Sequence, residues 1–213
     1  LVVGPDSSIL GAAIAFGAFA ALLTITPGLD TALVVRMSLG NGARMGRLTA
    51  LGICAGCLVW GVAGAVGVTA VLTASGRAYD VLRYAGAAYL VWLGARTLFV
   101  RSDPVDDGAP PSTRSPWDAF RTGLLTNLLN PKVGAFYVSA LPQFIPDDAP
   151  VLPTSVLLAA IHALEGVVWL FFVAALVARL GAQLRRPVVR RRLEQATGVV
   201  LIALGLRLAI VKR

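Results

Sequence analysis

Ionised side chains are scarce in this chain. Only 14% of its 213 residues are Asp, Glu, Lys or Arg, against roughly 25% in an ordinary soluble domain. A disordered segment needs the opposite balance, low hydrophobicity with high charge, so disorder is excluded. Cysteine is scarce as well, and two residues in a chain of this length exclude a disulfide scaffold. Apolar residues, by contrast, make up 57% of the sequence, and the mean hydropathy is +0.77. The net charge is +8, with a pI of about 10.5, a balance also met in nucleic-acid binders. Yet 19 basic against 11 acidic residues is a small excess on so apolar a chain. The composition fits a polytopic membrane protein whose charges sit in loops, with no nucleic-acid partner. At about 20 residues per crossing, the length allows roughly five to seven spans.

Charge-free runs locate the first spans. Residues 7–29 and 48–76 contain no ionised group, and each exceeds the roughly 18 apolar residues that suggest a spanning helix. Residues 84–100 are apolar apart from Arg96 near the end, where its side chain can snorkel. Residues 120–145 carry Arg121, Asn127, Asn130, Pro131 and Lys132. Residues 152–177 carry His162 and Glu165, and residues 196–211 carry Arg207. The expectation is an all-α protein of six transmembrane helices. The first run lacks a basic leader and is longer than a signal-peptide core, so it is expected to remain as a span.

Loop charges orient the bundle. The loops after helices one, three and five carry 12 basic residues, among them Arg36, Arg44, Arg47, Arg121 and Arg179. The opposite side has Arg77, Arg83, Lys212 and Arg213, and the loop after helix four is acidic through Asp147 and Asp148. This bias places both termini outside the cytoplasm. The basic run 185–192 is then a topology signal that touches anionic lipid, rather than a nucleic-acid patch. The Asp-, Pro- and Ser-rich stretch 102–116 reads as a cytoplasmic linker between two three-helix halves, 1–101 and 117–213.

The halves share features. Leu93-Gly94-Ala95-Arg96 and Leu204-Gly205-Leu206-Arg207 close their third helices, and each first helix is interrupted. The interruptions are Thr26-Pro27-Gly28-Leu29-Asp30 and Asn130-Pro131-Lys132. Three helices per half make the two halves enter the membrane from opposite sides. Inverted repeats with matched breaks are a plan of secondary transporters. Proline lacks an N–H and its ring clashes with the carbonyl four residues earlier. The freed backbone groups are tolerated only against protein or a water-filled cavity. Asp30 and Lys132 flank the two breaks with opposite charges, which would complement a zwitterion and neutralise each other in its absence. A carboxylate in such a place is also a candidate proton carrier. The bland alternative is that the prolines only kink their helices and the two charges are interfacial anchors.

His162 and Glu165 lie three apart and share a helix face. They are candidates for a proton relay, or else a mutually satisfied structural pair. His-Ala-Leu-Glu is not a zinc-protease motif, and nothing in the chain calls for a metal or cofactor. Cys54-Ala55-Gly56-Cys57 raises the alternative of a membrane thiol-redox carrier. Its residues read more simply as small packing groups beside Gly52, Gly56, Gly61 and Gly64. A non-transporting membrane scaffold is the third reading, and glycine faces of this kind suit a homodimer.

The motifs in their order resemble the LysE/RhtB family of amino-acid exporters over nearly the whole chain. The resemblance rests on Thr26-Pro27-Gly28-Leu29-Asp30, then Gly42 with Gly46, Gly52-Ile53 with Gly56, and Gly86-Ala87-Ala88-Tyr89-Leu90. It continues through 123–132, which ends in Asn127-Leu128-Leu129-Asn130-Pro131-Lys132, and Leu141-Pro142-Gln143-Phe144, to Trp169 and Gly205-Leu206-Arg207. It implies a transporter rather than an enzyme, in the bacterial inner membrane, exporting amino acids or close derivatives on the proton motive force. On this reading the substrate would be bound by Thr26, Pro27, Gly28, Asp30, Asn127, Asn130, Pro131 and Lys132. Asp30, Glu165 and His162 would be the proton-coupling candidates. The family usually has a second proline where Leu29 stands.

Overall fold

Helix α1 (Ile9–Ile25) begins at Ser8, whose hydroxyl accepts the backbone N–H of Gly11, one of the orphan donors of a helix start. It stops ahead of Pro27. Helix α2 (Leu29–Asn41) resumes after Gly28, bent 51° from α1. The charge-free run ended at Leu29, but the helix continues past it and takes in Arg36. Hydropathy marks where charges begin, whereas helix ends are set by caps and breakers. Here the end is Gly42, at φ 84°, a left-handed conformation that suits glycine. Helix α3 (Ala43–Ala74) follows at once.

The structure, a computed structural model, describes residues 8–74, 81, 84–89, 91–92, 95, 98, 115–184, 192, 195 and 199–206. The linker 102–116 lies outside the described residues save its last two. So do residues 185–191 of the basic run and residues 212–213. In the second half, α4 (Pro116–Leu128) starts on a Ser115 cap with proline in its first turn. Helix α5 (Pro131–Ser139) follows the Leu129–Asn130 interruption, and a 3-10 turn, Leu141–Phe144, leads towards α6 (Val151–Leu184). Both expected interruptions are therefore present. All elements among the described residues are helical.

Within α3 and α6, Ala43–Gly67 and Val151–Arg179 are long and apolar enough to cross a bilayer, and the bent α1–α2 pair can count as a third span. Outward-facing Leu10, Ile14, Val66, Leu164 and Val168 are exposed, as they should be if hydrocarbon covers them.

Close backbone approach organises the interior, with α3 packing mainly on α4 and α6. A Cβ on Gly52 would overlap the Phe120 carbonyl of α4, and one on Gly123 would overlap the Thr49 carbonyl of α3. Each helix thus offers its glycine to the other's backbone, the small-residue packing that membrane helices rely on. Gly56 gives its space to the Asn127 side chain, and Gly61 abuts Ala159 of α6. An aromatic cluster of Phe16, Phe19, Phe136 and Phe144, with ring centroids 5.4–5.8 Å apart, joins α1 to the second half. Residues 84–89 and 199–206 are also helical. Ala87, Leu201 and Leu204 enter the same core, and Gly205 sits against the Ala87 carbonyl.

Candidate functional site

Each break follows from one missing donor. In an unbroken helix the N–H of residue 27 would bond the Leu23 carbonyl, and that of residue 131 the Asn127 carbonyl. Both positions are proline, so both bonds are lost. The Leu23 carbonyl finds a side-chain donor on another helix, while the Asn127 carbonyl accepts the Asn130 backbone N–H at 3.0 Å and gains a second donor from α3. Lys132 Nζ donates to Leu23 O at 3.1 Å and to Thr26 O at 2.8 Å. Trp60 Nε1 of α3 donates to Asn127 O at 3.3 Å. Asn130 Oδ1 accepts the Lys132 backbone N–H at 3.1 Å and caps α5. The N-cap of α2 is Gly28, which has no side chain to offer.

Asp30 occupies the first turn of α2, and its Oδ2 accepts Asn127 Nδ2 at 2.9 Å. The same amide nitrogen lies 3.7 Å from Cys57 Sγ. Asn127, fully buried, therefore ties the first break to the second and to α3. The expected mutual neutralisation of Asp30 and Lys132 takes a different form: the hydrogen bonds of Lys132 go to carbonyls, and that of Asp30 comes from an amide. Helix-end electrostatics supply the reason. The N-terminus of α2 favours the Asp30 carboxylate, and the C-terminal carbonyls of α1 favour the ammonium that α5 brings to them.

Thr26, Gly28, Asp30, Asn127, Asn130, Lys132 and His162 line one cavity of about 50 Å³ between the breaks. Of the residues singled out from the sequence, Pro27, Pro131 and Glu165 do not line it. The prolines create the breaks without facing the cavity. Glu165 turns towards α1, its Oε1 lying 3.3 Å from where a Cβ on Gly17 would stand. His162 bonds the Tyr137 hydroxyl through Nδ1 at 3.0 Å, so it is not paired with Glu165. Thr24, Asp30 and Asn127 each hold a buried oxygen with no partner, and all three residues line the cavity. Oxygens of this kind call for a donor.

Cys54 and Cys57 also line the cavity, where the sequence favoured packing over a thiol-redox role. Both are buried free thiols. Their spacing of three put them on one face of α3, but nothing in the sequence said which neighbours that face meets. Among the described residues no group of three or more His, Cys, Asp or Glu is arranged to hold a metal ion.

Paired helix breaks around a buried polar cavity are the build of a membrane transport protein. The family model for LysE type translocators matches residues 21–212, and the chain belongs to that family. The chain is similar to the uncharacterized membrane protein YrhP of Bacillus subtilis, at 30% identity over 91% of this chain and 96% of the relative. It is also similar to the homoserine/homoserine lactone efflux protein of Salmonella typhi, at 28% identity over 88% and 91%. With the leucine efflux protein of an Enterobacter species it shares 33% identity over 68% and 67%. No solved structure matches the chain.

Proposed function

We propose that the protein exports amino acids across the bacterial inner membrane, binding them between its two helix breaks. The observation that carries this reading is the convergence of Asp30, Asn127 and Lys132 on one cavity. The efflux names of two relatives support it. An amino acid brings an ammonium to the unpartnered oxygens of Asp30, Thr24 and Asn127, and a carboxylate to Lys132. Lys132 spends two of its three N–H bonds on Leu23 and Thr26 and keeps one for the carboxylate. Thr26, Gly28, Asn130 and the two prolines complete the site by shaping the breaks.

A cavity of about 50 Å³ holds a few water molecules rather than an amino acid. Admission therefore requires the half-helices to part, and the 51° break between α1 and α2 is the hinge we propose for it. The architecture we propose is six spans in two inverted repeats, 1–101 and 117–213, joined by the linker 102–116, with both termini outside. The proton motive force drives the cycle, with Asp30, Glu165 and His162 as the protonatable groups available to carry the coupling. A homodimer would use another face, because Gly52, Gly56, Gly61 and Gly64 pack against Phe120, Asn127, Ala159 and Leu141 of the same chain.

The test is an export screen. Cells expressing the protein are fed dipeptides of each amino acid, and the extracellular amino acid is measured. The expected result is accumulation outside the cell that Asp30→Asn abolishes at unchanged membrane abundance. Normal export by Asp30→Asn would remove the site from between the breaks.

A further inference from the structure

We infer that the amino acid carried has an uncharged side chain, seated against Cys54, Gly166 and Leu170, and that Gly166 sets the size of that seat. The inference rests on the exporter reading above and deepens it. The charges of the cavity wall supply the first argument. Asp30 is its one carboxylate and Lys132 its one amine among the described residues, and the substrate's own ammonium and carboxylate use both. The His162 ring is engaged with Tyr137. Glu165, the other acid nearby, faces Gly17 instead of the cavity. A lysine- or glutamate-like substrate would leave its side-chain charge against Ile53, Cys54 and Leu170 with no counter-charge. An isolated charge in apolar surroundings is strongly disfavoured.

The second argument is geometric. His162, Gly166 and Leu170 recur every four residues, so one stripe of α6 faces the cavity. Gly166 is the position where that stripe has no side chain. A Cβ there would lie 3.1 Å from Cys54 Sγ and, apart from its own helix turn, within 4 Å of no other atom among the described residues. The wall at Gly166 is therefore closed on one side by the Cys54 thiol and open elsewhere, and any added carbon takes space from the seat.

The experiment compares export of alanine, leucine, lysine and glutamate from dipeptide-fed cells for the wild-type protein, Gly166→Ala and Gly166→Val, with membrane abundance measured alongside. Alanine and leucine should leave at least about tenfold faster than lysine or glutamate. Gly166→Val should lower leucine export relative to alanine by about tenfold, the scale of discrimination that a pocket wall provides. Gly166→Ala, the milder change, should shift the same ratio in the same direction and serves if the valine variant fails to accumulate. Lysine or glutamate export equal to leucine export overturns the charge argument while leaving the exporter reading intact. An unchanged leucine-to-alanine ratio in an abundant Gly166 variant overturns the seat. Export of no amino acid at all refutes the exporter function itself, and this inference with it.

Discussion

Lys132 supplies the donor that Pro27 removed from Leu23 and a second one to Thr26, and replacing it tests that substitution of one donor for another. Lys132→Met keeps much of the buried stem and deletes the ammonium. The carbonyls of Leu23 and Thr26 then lose the bonds of 3.1 and 2.8 Å that now satisfy them. A side-chain hydrogen bond between membrane helices is worth about 0.6–1.7 kcal/mol. Two of them amount to about 1–3 kcal/mol, or about a 5- to 150-fold change in the folded population. Unfolding of the purified protein by SDS in mixed micelles should show a loss of this size. Export from cells should be lost as well, because the substrate carboxylate has no cation left to meet. A variant with the wild-type unfolding transition and intact export would refute the claim that Lys132 holds the first break together.

The remaining expectations concern neighbouring residues. Gly56→Val places carbon where Asn127 Oδ1 stands, displaces the amide that holds Asp30, and should cut export at least about tenfold. Gly67→Ala, with nothing among the described residues outside its own helix turn within 4 Å of its Cβ, should leave export unchanged, and equal effects of the two would discount the Asn127 link. Cys54→Ala combined with Cys57→Ala should still export amino acids, with the leucine-to-alanine ratio shifted by the change at the Cys54 wall, and loss of export of every amino acid would revive a thiol-redox role. Glu165→Gln should keep substrate exchange in proteoliposomes but abolish uptake driven by an imposed pH gradient. Full gradient-driven uptake by that variant would remove Glu165 from the coupling path.

Much of the architecture can be read locally. Hydropathy finds the apolar stretches of α1, α3 and α6 because burial in hydrocarbon imposes itself residue by residue. Proline and its neighbours mark both breaks because the missing N–H is a property of the residue itself. The opposite charges at Asp30 and Lys132 are visible for the same reason. Helix ends were less legible. Helix α2 runs on past the end of the charge-free stretch to its cap at Gly42, and α4 begins at Pro116 inside the expected linker, because caps and turn conformations override composition at those points.

Partnership is what the sequence alone left open. The bond from Lys132 to Leu23 spans 109 positions, and the bond from Asn127 to Asp30 spans 97. No local pattern encodes contacts at such separations, since they exist only once α1, α2, α4 and α5 have packed. The sequence determined that two proline breaks would leave carbonyls in need of donors, and that two opposite charges would stand beside them. The tertiary structure decided that Lys132 and Trp60 serve those carbonyls, that Asn127 rather than Lys132 bonds Asp30, and that Cys54 and Gly166 join the cavity wall. The physical reason is that a buried polar group must be satisfied, while packing alone determines which neighbour is near enough to do it.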